Sequence, residues 1–385
     1  GLVGFNGSNY MQIVPVIAKN WSTPDDQHWY FTIRHHVWFS NGDPVNATTV
    51  WFSIYRIILM GQGPGISNYG GILYNITEAS KTGYFIPWGA CNALAYATGN
   101  NAYLSNATLC AYALANVLSN FNTANATIQK IMSYPNQAIV VLNPFEVEII
   151  TLRPYPLFLT EIANWWGFVV DPTFIDANGG VQPNAPNSKL CTTPMPGTGP
   201  YIIKSYTPGE ELLLVNNTNY WVYYYYNHGM GNEIPWIIQP AHITYIDVKY
   251  GLDTTDRIED FVKNIAQITY VSTINMPALV KLYSSATGIP SGNWSLYIHN
   301  FGPSTAVYYL SFNTQVWPTN DTNFRLAIVH ALNATALLQP YYALGTYWAT
   351  TYVGPLAPVF KPYYNPDNLP VYQYNLTLAL QYLVR

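Results

Sequence analysis

The run Tyr30-Phe31-Thr32-Ile33-Arg34, then Val37-Trp38-Phe39-Ser40-Asn41-Gly42-Asp43-Pro44-Val45, then Val50-Trp51-Phe52-Ser53 is the stretch on which the fold turns. Residues 29–34 alternate well enough to predict a strand, and Asn41-Gly42-Asp43-Pro44 carries strong turn chemistry. Asn46 is placed to cap a helix with its side-chain oxygen, and Val50, Ile54, Ile57 and Ile58 then recur at helical spacing. Strand, turn and helix in close succession predict an α/β chain with mixed sheets.

Two further phrases follow downstream. The second is Gly197-Thr198-Gly199-Pro200-Tyr201, followed by Asn219-Tyr220-Trp221. The third is Phe312-Asn313-Thr314, then Phe324-Arg325-Leu326-Ala327-Ile328-Val329-His330-Ala331-Leu332-Asn333. Between the first two, residues 61–138 read as loop-rich with helices near 109–119 and 124–133. Residues 138–142 and 147–152 read as a hairpin turning at Asn143-Pro144, and a helix carrying Trp165-Trp166 comes next. Strands are predicted from Tyr201, over 212–215 and over 243–248, and a helix over 256–264. Residues 307–312 read as a crossover strand, 323–332 as a helix with Asn333 capping its successor, and 376–385 as an amphipathic helix. Tyr223-Tyr224-Tyr225-Tyr226 reads as a low-complexity surface run. No internal repeat stands out, which argues against solenoids and propellers.

In this order and spacing the phrases resemble the oligopeptide-type (family 5) solute-binding proteins of ABC importers, over nearly the whole chain. The stretch Ile13-Val14-Pro15-Val16-Ile17-Ala18-Lys19-Asn20-Trp21 looks like the family's run ending in Ala-x-x-Trp. The resemblance implies a two-lobed periplasmic-binding-protein-like (type II) fold with mixed sheets and an inserted extra domain. Residues 1–50 and 190–306 would form the first lobe, 51–189 the insertion, and 307–385 the start of a second lobe. It implies a binder that closes on a small solute, an oligopeptide or oligosaccharide, and docks on an ABC permease in the membrane, with no cofactor. Family members begin earlier and continue past the point matching Arg385, so the chain is expected to be incomplete at both ends. The portion that anchors a peptide's N-terminal amine in peptide binders would lie beyond it. Carbohydrate sites use aromatic faces and neutral hydrogen-bonding groups, which makes Trp165, Trp166, Tyr308, Tyr309, Asn313 and Trp348 the candidate ligand contacts. Pro200 after two small residues, and Arg325, are read as serving the fold.

Composition adds an environment. Only 9% of residues are charged, against roughly 25% in ordinary soluble domains, while 34 tyrosines and many amides supply polarity. Such a surface changes little when carboxylates titrate, so an exterior built for acid is the expectation; the resemblance is taken to be to an archaeal, acidophilic member of the family. The formal net charge of −4 and the lack of a basic stripe give no reason to expect nucleic acid. Apolar runs near 51–60 and 139–152 are broken by Arg56 or by Asn143-Pro144 and Glu146, short of the ~18 residues that a span requires. Asn-X-Ser/Thr sequons stand at Asn6, Asn20, Asn46, Asn75, Asn106, Asn125, Asn216, Asn293, Asn320, Asn333 and Asn375, and predict N-linked glycans. Cys91 and Cys110 could close a loop of about twenty residues, worth roughly 3 kcal/mol. Cys191 would then be free, although three cysteines allow three single-bridge choices. Together these features predict an extracellular, cell-surface protein tethered by a segment outside this chain.

Catalytic signatures are absent: there is no Gly-x-Ser-x-Gly elbow, phosphate loop, His-Glu-x-x-His or Cys-x-x-Cys. His35-His36 on a strand would face opposite ways and not share a metal. Glu146 and Glu148 could share a strand face, but a carboxylate pair without a pocket is weak support for glycoside hydrolysis. A binder and not an enzyme is therefore predicted. A cell-envelope or filament glycoprotein derived from a solute-binding fold is the alternative.

Overall fold

Trp29, Phe31 and Ile33 are buried while Tyr30 between them is 38% exposed, the period of two that a sheet covered on one face imposes. A computed structural model describes residues 1–7, 9–287, 307–360, 363–367 and 369–384. Its early strands are β1 (Val3–Asn6), β2 (Asn9–Pro15), β3 (Ala18–Ser22), β4 (His28–Ile33), β5 (Ile139–Asn143) and β6 (Glu146–Ile150). β1 and β2 pair as a hairpin, and the other strands form an antiparallel sheet in the order β3-β4-β6-β5.

The helix after the turn, α1 (Ala47–Leu59), begins at the predicted cap. Asn46 Oδ1 accepts from the Thr48 and Thr49 amides at 2.9 and 3.3 Å, and the Asn46 amide donates to Thr49 Oγ1. This reciprocal box satisfies donors that a helix start otherwise leaves bare. Val50, Trp51, Phe52, Ile54, Tyr55 and Ile58 are all buried, so α1 is apolar around most of its girth and lies inside the core against β5 and β6. Tyr55 donates its hydroxyl to Gln137 Oε1 at 2.6 Å, and Gln137 Nε2 donates to the carbonyls of Ile131, Met132 and Tyr134. A buried amide is thereby fully engaged.

The helices α2 (Gly63–Tyr69), α3 (Ile76–Thr82), α4 (Ala90–Thr98), α5 (Ala107–Ser119) and α6 (Ala126–Met132) follow. A disulfide between Cys91 and Cys110 ties α4 to α5 with Cα atoms 5.6 Å apart, which decides the open pairing; Cys191 is exposed and free. Residues 51–189 supply β5 and β6 to the sheet that holds β3 and β4, and share one apolar core with them.

Beyond α7 (Phe158–Ile162) the chain departs from expectation. Trp165 and Trp166 do not ride on this helix but occupy a 3-10 turn, Trp165–Gly167. The turn packs so closely that a Cβ on Gly167 would lie 2.2 Å from the Ile162 carbonyl oxygen, an approach only glycine allows. The helix α8 (Pro172–Ala177) comes next. The strands β7 (Tyr201–Thr207), β8 (Glu211–Asn216) and β9 (Tyr245–Lys249) then form a second antiparallel sheet in that order, with α9 (Val222–Asn227) connecting β8 to β9.

The tyrosine run is a helix, not a featureless surface. Tyr225 is 4% exposed and donates its hydroxyl to the His35 carbonyl at 2.8 Å, while Tyr224 stacks on His36. Arg34, also buried, sits over the Tyr225 ring and donates from Nε to the Val16 carbonyl and from Nη2 to the Glu233 carbonyl, at 2.8 and 2.9 Å. Buried charge is tolerated when it is bonded in this way. His35 and His36 lie in a turn and not on a strand, because His36 takes φ +59°. Among the described residues no group of His, Cys, Asp and Glu could hold a metal, and no helix is long and apolar enough to cross a membrane.

The structure divides into two compact units, Gly1–Gly251 and Leu252–Arg385. The second contains α10 (Thr254–Val262), α11 (Met276–Thr287), α12 (Thr322–Ala331), α13 (Ala334–Leu338), the two-residue strands β10 (Tyr342–Ala343) and β11 (Thr346–Tyr347), and α14 (Leu376–Leu383). α12 packs on α14, where the His330 ring stacks on Tyr382 and its Nδ1 lies 2.8 Å from the Gln373 carbonyl. Arg325 donates to the Thr319 carbonyl and to Thr322 Oγ1, tying the helix start to the preceding loop as expected of a fold residue. The expected strand over 307–312 is not formed: among the described residues no ladder partner pairs with it. A strand exists only through such pairing.

Candidate functional site

Two of the sequence phrases meet within the first unit. The Ser40 amide donates to the Gly197 carbonyl at 2.9 Å, and Trp38 Nε1 donates to the Asn219 carbonyl at 2.7 Å. Trp221, 1% exposed, donates from Nε1 to the Thr198 carbonyl at 3.0 Å. Asn217 completes the weld, its amide donating to the Pro200 carbonyl and its Nδ2 to the Gly199 carbonyl. Gly197 and Gly199 leave their carbonyls open to approach, and Pro200 starts β7 with a fixed φ.

A shallow recess of about 270 Å³ borders this junction, lined by Ser40, Asn41, Phe174, Pro194, Met195, Pro196, Ile202 and Ile203. Its walls are apolar and its polar groups neutral. Behind it, Asn41 Nδ2 bridges two carboxylates, donating to Asp171 Oδ2 at 2.7 Å and to Asp43 Oδ2 at 2.9 Å. Asp171 Oδ1 accepts from the Thr173 amide at the start of α8. Burial pushes the Asp171 carboxyl above its ordinary range and the Asp43 charge adds to the rise, while the bonds from Asn41 and the α8 backbone oppose it. The amide bridge fixes the turn loop against α8 and so shapes one wall. The recess can receive an uncharged, partly apolar group of side-chain size.

The six residues proposed from sequence as ligand contacts fall in both units. Trp165 is 61% exposed and meets Trp166 edge-on at 5.9 Å. Tyr308 and Tyr309 are 89% and 78% exposed. Asn313 organises a turn, its Oδ1 accepting from the Gln315 amide and its carbonyl from Thr319 Oγ1. Trp348 donates from Nε1 to the Ala343 carbonyl at 3.2 Å, within the β10–β11 hairpin. None of them lines the recess. Sequence reading missed Phe174, Met195, Ile202 and Ile203; the one signal was Pro194-Met195-Pro196, an apolar segment stiffened by proline just before the second phrase.

The junction and its flanking sheets define a class. The profile of the bacterial extracellular solute-binding proteins, family 5 Middle, matches residues 12–384. The chain belongs to that family. It is 22% identical over 353 residues to the periplasmic murein peptide-binding protein MppA of Escherichia coli K12, covering 90% of this chain and 49% of that protein. The chain thus spans about half the length of this curated relative. Among solved structures it is similar to the ABC transporter-associated periplasmic binding protein DppA of Helicobacter pylori in complex with the peptide STSA. The TM-score there is 0.57 at 17% identity, over 100% of this chain and 59% of that one. It is also similar to MoaA of A. tumefaciens R10 in complex with mannopinic acid, with TM-score 0.58, 15% identity and coverage of 100% and 58%. The fold is therefore the α/β fold of type II periplasmic binding proteins, with ligands of different chemistry among its members.

Proposed function

We propose that this chain is part of an extracellular solute-binding subunit that captures a short peptide and delivers it to an ABC permease. The observation that carries the reading is the neutral, apolar-walled recess built on the weld between the first two phrases. Peptide side chains of varied type fit such a wall better than a charged solute does. Family membership and the peptides named for MppA and DppA support it. Capture would proceed by closure of one lobe on another, with 1–50 and 190–306 in the first lobe, 51–189 inserted and 307–385 opening the second. Trp165, Trp166, Tyr308, Tyr309, Asn313 and Trp348 stay candidate ligand contacts in that reading, and N-linked glycans and a surface tether complete the extracellular assignment.

The test is a thermal-shift panel on the complete protein at acidic pH, comparing short peptides with cello- and malto-oligosaccharides. A ligand at a hundred times its Kd should add about 2.7 kcal/mol and raise Tm visibly. Met195→Trp, which fills the recess, should abolish the peptide shift and leave the ligand-free Tm in place. A shift with oligosaccharides alone would reassign the solute. No shift in ligand-free, folded protein that polymerises would favour an envelope assembly instead.

A further inference from the structure

Of the eleven sequons, Asn293 lies outside the described residues, and among the rest two groups stand apart. Asn75, Asn106, Asn125, Asn333 and Asn375 are exposed, and each holds the cap position of a helix. In each the carbonyl end of the side chain is fixed: Oδ1 accepts from the amides of Thr77, Leu109, Thr127, Ala336 and Leu378 at 2.9, 2.9, 2.8, 3.1 and 2.9 Å respectively. In none does Nδ2 make a hydrogen bond among the described residues. The side chain is thus held by its oxygen and offers its nitrogen.

Capping accounts for the asparagines. It does not account for Thr77, Thr108, Thr127, Thr335 and Thr377, which stand two residues further on inside the first turn, where threonine is a below-average helix former. The hydroxyl at that spacing is what an N-glycosylation acceptor requires. By contrast, Asn6 and Asn46 are half-buried. Asn6 Nδ2 donates to Gln12 Oε1 at 2.6 Å while its Oδ1 accepts from Trp236. Asn46 Oδ1 takes the Thr48 hydroxyl as well as the helix amides, between the buried neighbours Val45 and Ala47.

We infer that the five exposed cap asparagines are N-glycosylation sites, and that Asn6 and Asn46 are not. The donor is a polyprenyl-phosphate-linked oligosaccharide. Nδ2 forms a bond to the anomeric carbon of the first sugar and the bond from that carbon to the phosphate oxygen breaks. The lipid phosphate leaves with the electron pair, and the amide gives up one of its two protons. The product keeps one N–H and the whole carbonyl, so the Oδ1 cap survives attachment. This inference is independent of the identity of the solute.

The experiment is glycopeptide mass spectrometry on a peptic digest of the protein purified from the cells that make it. Sugar masses are expected on the peptides holding Asn75, Asn106, Asn125, Asn333 and Asn375, with Asn6 and Asn46 bare. Asn125→Asp made in the same cells keeps the cap oxygen and should lose one glycan mass with Tm unchanged. Asn125→Ala should lose the glycan and lower Tm. An intact mass equal to the bare polypeptide, sugar on Asn6 and Asn46 as fully as on the others, or no mass change in Asn125→Asp would each overturn the assignment.

Discussion

Asp176 stands where a carboxylate is least welcome. It lies in the last turn of α8, and its Oδ2 accepts from the Phe121 amide at 2.8 Å just past the end of α5. Burial there, and not a neighbouring charge, disfavours the ionised form. Its Oδ1 is buried with no partner among the described residues. Burial raises its pKa from 3.8 to about 6, against the pull of the Phe121 bond. The folded state then binds the proton more tightly than the unfolded one, so this group's contribution is whole below pH 3.8 and is lost as pH rises through about 6. A rise from 3.8 to about 6 corresponds to roughly 3 kcal/mol; partial exposure and solvent screening reduce that to about 1–2 kcal/mol. Asp176→Asn keeps an acceptor for Phe121 and removes the charge. At pH 7 the variant should exceed the parent by about 1–2 kcal/mol, or several degrees in Tm, and at pH 4 the two should nearly coincide. Denaturant melts at both pH values measure this directly. An equal gap at pH 7 and pH 4, or a variant less stable at pH 7, would refute the reasoning.

Glu161 and Asp171 have raised pKa values from the same cause, so the parent should be more stable near pH 4 than at pH 7, as a pH series of melts would show. The exposed Asp25 works the other way, held down to about 2 by bonds to His28 and Gln27. Reducing the Cys91–Cys110 bridge should cost about 3 kcal/mol on the loop-entropy argument, read as a drop in the denaturation midpoint. Tyr55→Phe should cost about 1–2 kcal/mol by stranding Gln137 Oε1 in the core, measured by equilibrium unfolding. Gly89→Ala places a Cβ 2.2 Å from the Asn136 carbonyl oxygen at φ +78° and should cost about 2–4 kcal/mol, seen first as loss of folded yield.

What could be read from sequence was local. Strand, turn and cap over residues 28–59 each rest on neighbours a few positions apart, and the structure keeps them within a residue or two. The β5–β6 hairpin and the strands β7 and β8 were legible for the same reason. The weld between Ser40 and Gly197 was not, because it is a long-range hydrogen bond between phrases with no shared pattern. Repetition hid α9: four tyrosines in a row carry no periodicity, so only Arg34 and His35 reveal that Tyr225 points inward. Asp171 caps α8 in the structure, but nothing nearby in sequence announces Asp43 as its neighbour. The recess residues come from separate segments and meet only through tertiary packing.

The amide caps also bear on how such a surface could evolve. Asn100 and Asn187 hold the starts of short 3-10 turns with the same side-chain oxygen, accepting from Ala102 and Lys189. Asn100 is exposed and lacks only a hydroxyl two residues on, where Ala102 now stands, whereas Asn187 also spends its Nδ2 on the Asn178 and Gly180 carbonyls. Ala102→Thr would write a new sequon onto Asn100, a side chain whose oxygen is already held and whose nitrogen is not. In a chain that begins several of its helices with asparagine, a sugar coat can be extended or trimmed a residue at a time while those helices keep their caps.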